Sequence, residues 1–491
     1  MNNESIKKKT VSGMLWKLGE NGLSQIVNFV ISIVLARMLL PEDYGIIALV
    51  TIFITICDKL IVSGLATSLI QKKEADNKDF STIFFFSLVV SVVLYGVLFL
   101  SAPLIADFFE AYNRELLIRV IRVMGLQLII LAVNSVQSAY VSRTMQFRRF
   151  FWSTLGGTLL SAVVGIWMAY AGFGVWALVA QYLVKMLGST LVLWFTVRWR
   201  PNWQFSFERF KGLYSYGWKI FAASMIKVLY NDLRSIVIGK FFSSAQLAFY
   251  NKGQSFPQLV ETNVTGTIDS VFFPAIAKKQ SSKEEMLSML RRTVKVSAFI
   301  LMPLLTGLAA VAAPLVEVLL TEKWLPCAFF VQILSFSFLL SPVEIENLQA
   351  IKAIGRSDLV LKLEIIKKAV GVLLLIAAIP LGVEAIAVSL LIGNVFAAVV
   401  NGYPNRRLIG YSYRKQLADV LPSILMSAVM YAAIFAVSFV KLPALVLLAL
   451  EIVVGVAVYL FLSILTKNEN FHYLLAMLKG MLGRRKKGKE T

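Results

Sequence analysis

Histidine and cysteine are nearly absent. The 491 residues hold one histidine, His472, and two cysteines, Cys57 and Cys327. Both cysteines lie in or beside apolar stretches, which gives neither a disulfide framework nor a metal site. A single histidine near the end of the chain leaves out the commonest acid–base and metal-ligand chemistry. Charge is scarce too, at 16% of residues, where soluble domains carry about 25%. There is no Walker-type phosphate loop. The segments between apolar runs are too short for a soluble domain or an extracytoplasmic active site. An enzyme is not expected, and neither is a metal or a cofactor.

What the chain has is apolar length. Hydrophobic residues make up 58%, and runs of about twenty recur from start to finish, the length that crosses a bilayer as a helix. The fold class is therefore an all-α polytopic membrane protein. About fourteen transmembrane helices are expected, at 11–36, 44–70, 80–105, 116–142, 148–170, 174–197, 213–240, 244–273, 292–318, 327–351, 358–379, 382–404, 416–439 and 443–465. The net charge of +21 would suit a nucleic-acid partner, but the basic residues sit in short clusters between apolar runs, so none is expected. With the N-terminus inside, the inside segments hold about 32 Lys and Arg and the outside segments about six, which places both termini in the cytoplasm. The first twenty residues have a basic start but no clean apolar core or small-residue cleavage site, and are read as mature protein.

The chain also repeats itself. Gly172-Phe-Gly-Val-Trp-Ala-Leu-Val-Ala180 returns as Pro380-Leu-Gly-Val-Glu-Ala-Ile-Ala-Val388, and Ser101-Ala-Pro-Leu-Ile-Ala-Asp-Phe-Phe109 as Ala312-Ala-Pro-Leu-Val-Glu-Val-Leu-Leu320. Arg143 parallels Lys352, and Asp58 parallels Glu261. Echoes at nearly one offset imply two copies of a six-span unit, with a substrate site between them. The expected organisation is a six-helix bundle at 1–205, a pseudo-symmetric second bundle at 206–412, two additional transmembrane helices at 413–466, and an amphipathic, basic cytoplasmic tail at 467–491. The apolar face of that tail is Phe471, Leu474, Leu475, Leu478, Met481 and Leu482, with Arg484–Lys487 after it. It reads either as an interfacial helix with an anionic-lipid anchor or as a solvated tail.

Charges inside the spans are the functional signal, because each costs roughly 2.5–3.5 kcal/mol at mid-bilayer on insertion scales. In span 7, Lys219, Lys227 and Arg234 share one helical face with Ala223 and Tyr230. Lys17 in span 1, Arg122 and Lys185 join them as candidate substrate-binding cations, suited to a phosphate-bearing or acidic substrate. Gln254, Gln258, Glu261 and Asp269 share a face of span 8 with Asn251 and Thr265, and Glu344 and Glu346 follow Pro342 in span 10. With Asp58, these carboxylates either bind a coupling proton or sodium ion or neutralise neighbouring lysines. Lys59 can pair with Asp58, while Lys367 and Lys368 are expected to reach the interface from near a helix end. Each polar residue can alternatively be interhelical glue.

Several stretches resemble the bacterial polysaccharide-transport flippases of the multidrug/oligosaccharidyl-lipid/polysaccharide (MOP) superfamily, of the teichuronic- and colanic-acid exporter (Wzx) type. They are Leu35-Ala-Arg-Met-Leu-Leu-Pro-Glu-Asp-Tyr-Gly45, Ser63-Gly-Leu-Ala-Thr-Ser-Leu-Ile-Gln-Lys-Lys73, the two first-half repeat segments above, Ile238-Gly-Lys240, Tyr250-Asn-Lys-Gly253 and Phe273-Pro274. The resemblance implies two six-helix bundles in a V plus two extra helices, alternating between inward and outward states. It implies movement of an undecaprenyl-pyrophosphate-linked oligosaccharide across the bacterial cytoplasmic membrane, for export of a cell-surface polysaccharide. Its partners would be the lipid-linked oligosaccharide, membrane lipids and polysaccharide polymerase machinery. Lipid II flippases of the superfamily use arginines in spans 1 and 2. This chain has Lys17 and Lys59 there, so no residue is carried over. A drug or small-molecule exporter on the same fold is the alternative.

Overall fold

The computed structural model describes residues 3–62, 64–72, 74–279 and 282–476; the side chains of Lys17 and Lys219 lie outside the description. The described residues form helices and connecting turns, with no strand among them. They divide into two compact units, Met1–Ala248 and Phe249–Thr491.

The first unit holds α1 (Asn3–Met38), α2 (Pro41–Val62), α3 (Leu65–Gln71), α4 (Asn77–Phe108), α5 (Arg114–Gly125), α6 (Gln127–Arg143), α7 (Phe147–Tyr170), α8 (Val175–Thr196) and α9 (Phe207–Phe241). Next come α10 (Ser244–Ala277), which crosses the division, then α11 (Lys283–Ala310), α12 (Ala312–Leu320), α13 (Cys327–Ser337) and α14 (Ser341–Ala353). The chain continues with α15 (Ser357–Ala378), α16 (Val383–Leu408), α17 (Tyr413–Val437) and α18 (Ala444–Leu465).

Among the described residues, nine helical segments are long and apolar enough to cross a membrane. A tenth is added if α13 and α14, bent by 41° at their junction, count as one span. The expected fourteen is not reached among the described residues. Helices α1, α9 and α10 run to 36, 35 and 34 residues, and α15 to 22. Charged and amide side chains dilute the apolar surface of α9, α10 and α15, whereas the described segment Gly22–Met38 of α1 is apolar but short of a full span. Helices α9 and α10 are the ones that carry the span 7 and span 8 stripes.

Two expected spans break where the sequence dictates. Span 2 splits into α2 and α3 at Gly64, whose φ of 86° is a left-handed conformation that favours glycine. A Cβ there would stand 2.1 Å from the carbonyl oxygen of Gly217 on α9. Two glycines thus let α9 touch the broken helix backbone to backbone. Arg143 closes the far end of α3, donating to the carbonyls of Leu69 (2.9 Å), Ile70 (3.2 Å) and Lys72 (2.5 Å). A cation at a helix C-terminus satisfies orphan acceptors and the dipole together. Span 10 splits into α13 and α14 ahead of Pro342, which occupies the first turn of α14 as prolines prefer.

Prolines inside membrane helices orphan the carbonyl four residues earlier. In α4, Pro103 frees the Phe99 carbonyl, and Arg122 Nε reaches it from α5 at 3.3 Å, with its guanidinium 4.2 Å from the centre of the Phe99 ring. In α11, Pro303 frees the Phe299 carbonyl, and the Tyr459 hydroxyl donates to it from α18 at 2.9 Å. Unsatisfied backbone is costly in lipid, and each unit draws on a neighbouring helix to avoid it.

The two last spans, α17 and α18, pack on the second unit. Met426, Met430 and Ile434 of α17 and Leu448 and Tyr459 of α18 form one core cluster with Phe299 and Val311. Phe471 and Leu474 pack against the same cluster, so this part of the tail's apolar face is docked on protein. Leu478, Met481, Leu482 and Arg484–Lys487 lie outside the described residues. In the first unit, Trp199 anchors the basic end. Its ring meets Phe80, Phe84 and Tyr140 at 5.7, 6.2 and 6.3 Å, and its indole donates to Asn77 Oδ1 at 2.5 Å.

The glycines of the repeat have matching roles. Gly174 (φ 54°) and Gly382 (φ 102°) each stand directly before a helix, α8 and α16, in a conformation that favours glycine.

Candidate functional site

The candidate cations of the first unit fall into distinct environments. Arg122 is engaged at the proline-freed carbonyl described above. Lys185 on α8 donates to Asn28 Oδ1 on α1 at 2.9 Å, and Asn28 donates in turn to the Ser24 carbonyl at 2.7 Å. Two helical turns earlier on α1, the buried Glu20 accepts from Thr154 of α7 at 2.9 Å. Lys227 on α9 is exposed. Asp58 and Lys59 pair at 3.4 Å within α2, as their adjacency suggests.

Arg234 differs from all of these. It lies seven residues beyond Lys227 on the same face of α9, and is only 6% exposed. Its Nε has no hydrogen-bond partner, and no carboxylate among the described residues forms an ion pair with it. A guanidinium cannot shed its charge in a protein. Burying one without a partner costs several kcal/mol, and the cost falls away when an anion arrives.

In the second unit the structure brings the candidate carboxylates into one neighbourhood. Gln349 of α14 donates to Asp269 Oδ2 of α10 at 3.1 Å. One helical turn from Gln349 stands Glu346, 1% exposed, accepting from Ser297 of α11 at 3.4 Å. Glu346 and Asp269 are within electrostatic reach of each other, and Glu261 of both Asp269 and Glu344. Two oxygens in this group, Asp269 Oδ1 and Glu346 Oε2, are buried with no hydrogen-bond partner. Glu261 also accepts from Thr265, at 3.4 Å. No group of three His, Cys, Asp or Glu among the described residues is arranged to hold a metal ion.

Gln254 is half-buried and Gln258 exposed; the Gln258 carbonyl accepts from Thr262 at 2.7 Å. Glu344 is neutralised by Lys367 at 3.3 Å, and Lys367 also holds Glu364 at 2.7 Å. Lys367 therefore does not reach for the interface as expected. It sits mid-helix in α15, 11% exposed, because two carboxylates hold it there.

Sequence reasoning passed over three features. Asp419 on α17 is 4% exposed and accepts from Arg291 Nε and Nη2 at 2.8 Å and from the Tyr411 hydroxyl at 3.1 Å, with Lys295 at 3.6 Å. Asn405 and Gln416 join Asn347, a polar residue that the span 10 sequence already offered, in a buried amide chain linking α14, α16 and α17. Glu451 on α18 is fully buried, with neither oxygen partnered. Polar residues inside apolar spans were the available signal.

The comparisons with known proteins fit this architecture. The chain is 24% identical to the teichuronic acid biosynthesis protein TuaB of Bacillus subtilis, over 94% of this chain and 96% of that one. It is 24% identical to the lipopolysaccharide biosynthesis protein WzxC of Escherichia coli, over 85% of each. Its fold is similar to that of the lipid II flippase MurJ in an inward closed conformation, with a TM-score of 0.73 at 12% identity, covering 93% of this chain and 99% of that one. An inward-facing multidrug-resistance MATE transporter of the MOP superfamily matches with a TM-score of 0.63 at 19% identity, over 79% and 94%. The family model described as "Polysaccharide biosynthesis protein" matches residues 34–329, more than half of the chain. The chain therefore belongs to the polysaccharide biosynthesis protein family of membrane transporters, on the MOP-superfamily fold.

Proposed function

We propose that the protein is a flippase for a polyprenyl-pyrophosphate-linked oligosaccharide, the undecaprenyl form by its resemblance, working by alternating access in the bacterial cytoplasmic membrane. The observation that carries this reading is Arg234, a buried guanidinium with an unpartnered nitrogen on α9. A permanent cation of this kind suits a mobile anion, and a pyrophosphate offers charge and bidentate acceptors together. Lys227 on the same face, with Lys219 and Lys17, would extend the cationic path for the headgroup. Lys185 would join it by exchanging its Asn28 contact for a phosphate oxygen. Arg122, held at Phe99, would act in the scaffold.

In the second unit, the open oxygens of Asp269 and Glu346 would take a proton or sodium ion as the coupling cation. The same reading proposes that α1, α9, α10 and α15 also cross the membrane, restoring fourteen spans with both termini in the cytoplasm. It retains a two-fold organisation of bundles at 1–205 and 206–412, with 413–466 as the appended pair.

The test is translocation of a defined lipid-linked oligosaccharide by the purified protein in vesicles. Arg234→Ala should abolish transport at an unchanged level of inserted protein, while Arg234→Lys should keep a fraction of it. Normal transport by Arg234→Ala would remove the assignment. An exporter of cationic drugs is the competing reading; it is disfavoured because a buried guanidinium repels such a substrate.

A further inference from the structure

Helix α18 buries one narrow stripe: Leu448, Glu451, Gly455, Tyr459 and Ser463. Steps of three and four place all five on one face. Four of them suit an apolar helix seam. Leu448 and Tyr459 belong to the core cluster that holds Met426, Met430 and Ile434 of α17. Gly455 lets α17 close in, since a Cβ there would stand 2.8 Å from Ile434 Cδ1. The Ser463 hydroxyl donates to the Tyr459 carbonyl one turn earlier, at 2.7 Å. Glu451 is the exception. It is 0% exposed, and neither carboxyl oxygen has a hydrogen-bond partner.

The elements packed on α18 bring it no counter-charge. On α17, Tyr413, Arg414, Lys415 and Asp419 lie in the first two turns, and the Tyr431 ring packs with Phe336 and Phe435. The charges of α11 lie between Lys283 and Lys295, in its first half, and α12 carries Glu317 alone. Lys441 stands in the turn between α17 and α18. On α18 itself, the Tyr459 hydroxyl donates to the Phe299 carbonyl. None of these groups bonds to Glu451, and no charged neighbour among the described residues bears on it electrostatically.

An isolated carboxylate taken out of water is so costly that a group placed this way neutralises instead. A hard metal ion would need several oxygen ligands. The cluster along this seam offers Leu, Met, Ile, Phe and Val side chains, with one tyrosine whose hydroxyl is already engaged. A buried ionisable group inside an apolar span is also where function is to be sought first.

We propose that Glu451 is a proton-binding site of the α17–α18 pair: with α18 packed in this way the carboxyl is the neutral acid, and its ligand is a proton, not a metal ion or an ammonium group. The site is separate from Asp269 and Glu346. It is independent of the flippase reading, since it concerns α18 and not α9, α10 or α14.

The test uses the full-length protein, isotopically labelled at the side-chain carboxyl carbon of glutamate. It is held in phosphatidylcholine–phosphatidylglycerol bilayers at neutral pH in potassium buffer. Solid-state NMR separates a neutral carboxyl from a carboxylate by chemical shift. A neutral-carboxyl resonance should be present, lost in Glu451→Gln and kept in Glu346→Gln. Glu451→Leu should fold and lose the same resonance, because a neutral site lined by carbon accepts an apolar side chain. Exchanging potassium for sodium, or adding phosphatidylethanolamine, should leave the resonance in place. Loss of a carboxylate resonance in either Glu451 variant would overturn the proposal, as would failure of both variants to fold. A Glu451 resonance that moves to the carboxylate position with sodium or with phosphatidylethanolamine would also overturn it, and would name a metal ion or an ammonium group as the ligand.

Discussion

Removing one hydroxyl tests how the second unit tolerates a proline in a membrane helix. Tyr459 is 7% exposed, and its hydroxyl donates to the Phe299 carbonyl at 2.9 Å. Pro303, four residues on, has no N–H to offer that carbonyl. Tyr459→Phe keeps the ring, which lies 5.3 Å from Phe299, and removes the hydroxyl, which also takes a hydrogen bond from Ser423 in either background. A buried acceptor left unsatisfied costs about 1–3 kcal/mol, and lipid supplies no water to replace the donor, so about 2 kcal/mol is expected. Pro303→Ala restores an N–H at position 303, which can close the ordinary helical bond to Phe299. In that background Tyr459→Phe should cost about 0.5 kcal/mol, giving a coupling of about 1.5 kcal/mol, well above the additivity error of about 0.3–0.5 kcal/mol. The measurement is a double-mutant cycle by reversible denaturation in mixed micelles. An equal cost of Tyr459→Phe in both backgrounds would refute the reasoning, because the hydroxyl would then be acting elsewhere.

Three further expectations follow from named contacts. Arg122→Ala should lower stability by about 1–2 kcal/mol, through the lost carbonyl bond and a partly exposed cation–π contact. Transport by that variant per folded molecule should be unchanged, as vesicle flux normalised to monodisperse protein would show. Gly64→Ala should cost about 2–5 kcal/mol, combining a left-handed alanine with a Cβ that meets the Gly217 carbonyl; unfolding midpoints check it, and a cost below 1 kcal/mol would count against the contact. Glu346→Gln should fold normally, since it removes a buried charge and keeps its shape, yet transport should lose its response to a sodium or proton gradient. The same gradient dependence in variant and parent vesicles would remove the cation from this pair.

The broad class was legible because membrane insertion writes itself into composition. Runs of about twenty apolar residues and a one-sided distribution of Lys and Arg needed no structure to be read. The breaks within spans were less legible. Gly64 and Pro342 are visible in the sequence, but a glycine marks a left-handed turn only when something packs against it, and Gly217 lies 153 positions away. Partnered charges were harder still. Lys367 looked like a residue that would reach water, and it instead lies between Glu344 and Glu364; Lys295 finds Asp419, which no spacing rule connects to it.

The same physics explains why the charged helices were hard to count and are the ones that matter. A helix that lines a polar path must mix cations or carboxylates into its apolar length. That mixture lowers its hydropathy below the level that marks a span and raises its functional content at the same time. Helices α9 and α10 show both effects: neither is apolar enough to qualify by composition, and they carry Arg234 and Asp269. Pairing separates the residues further. Arg122 and Lys367 have partners that account for them, whereas Arg234 and Glu346 keep buried polar atoms with none. In a bilayer, an unsatisfied buried ionisable group is costly and is a functional-site hypothesis by default. Among the eleven candidates whose side chains are described, the unpartnered atoms single out one cation and one carboxylate pair, Arg234 and Asp269 with Glu346, as the first to test.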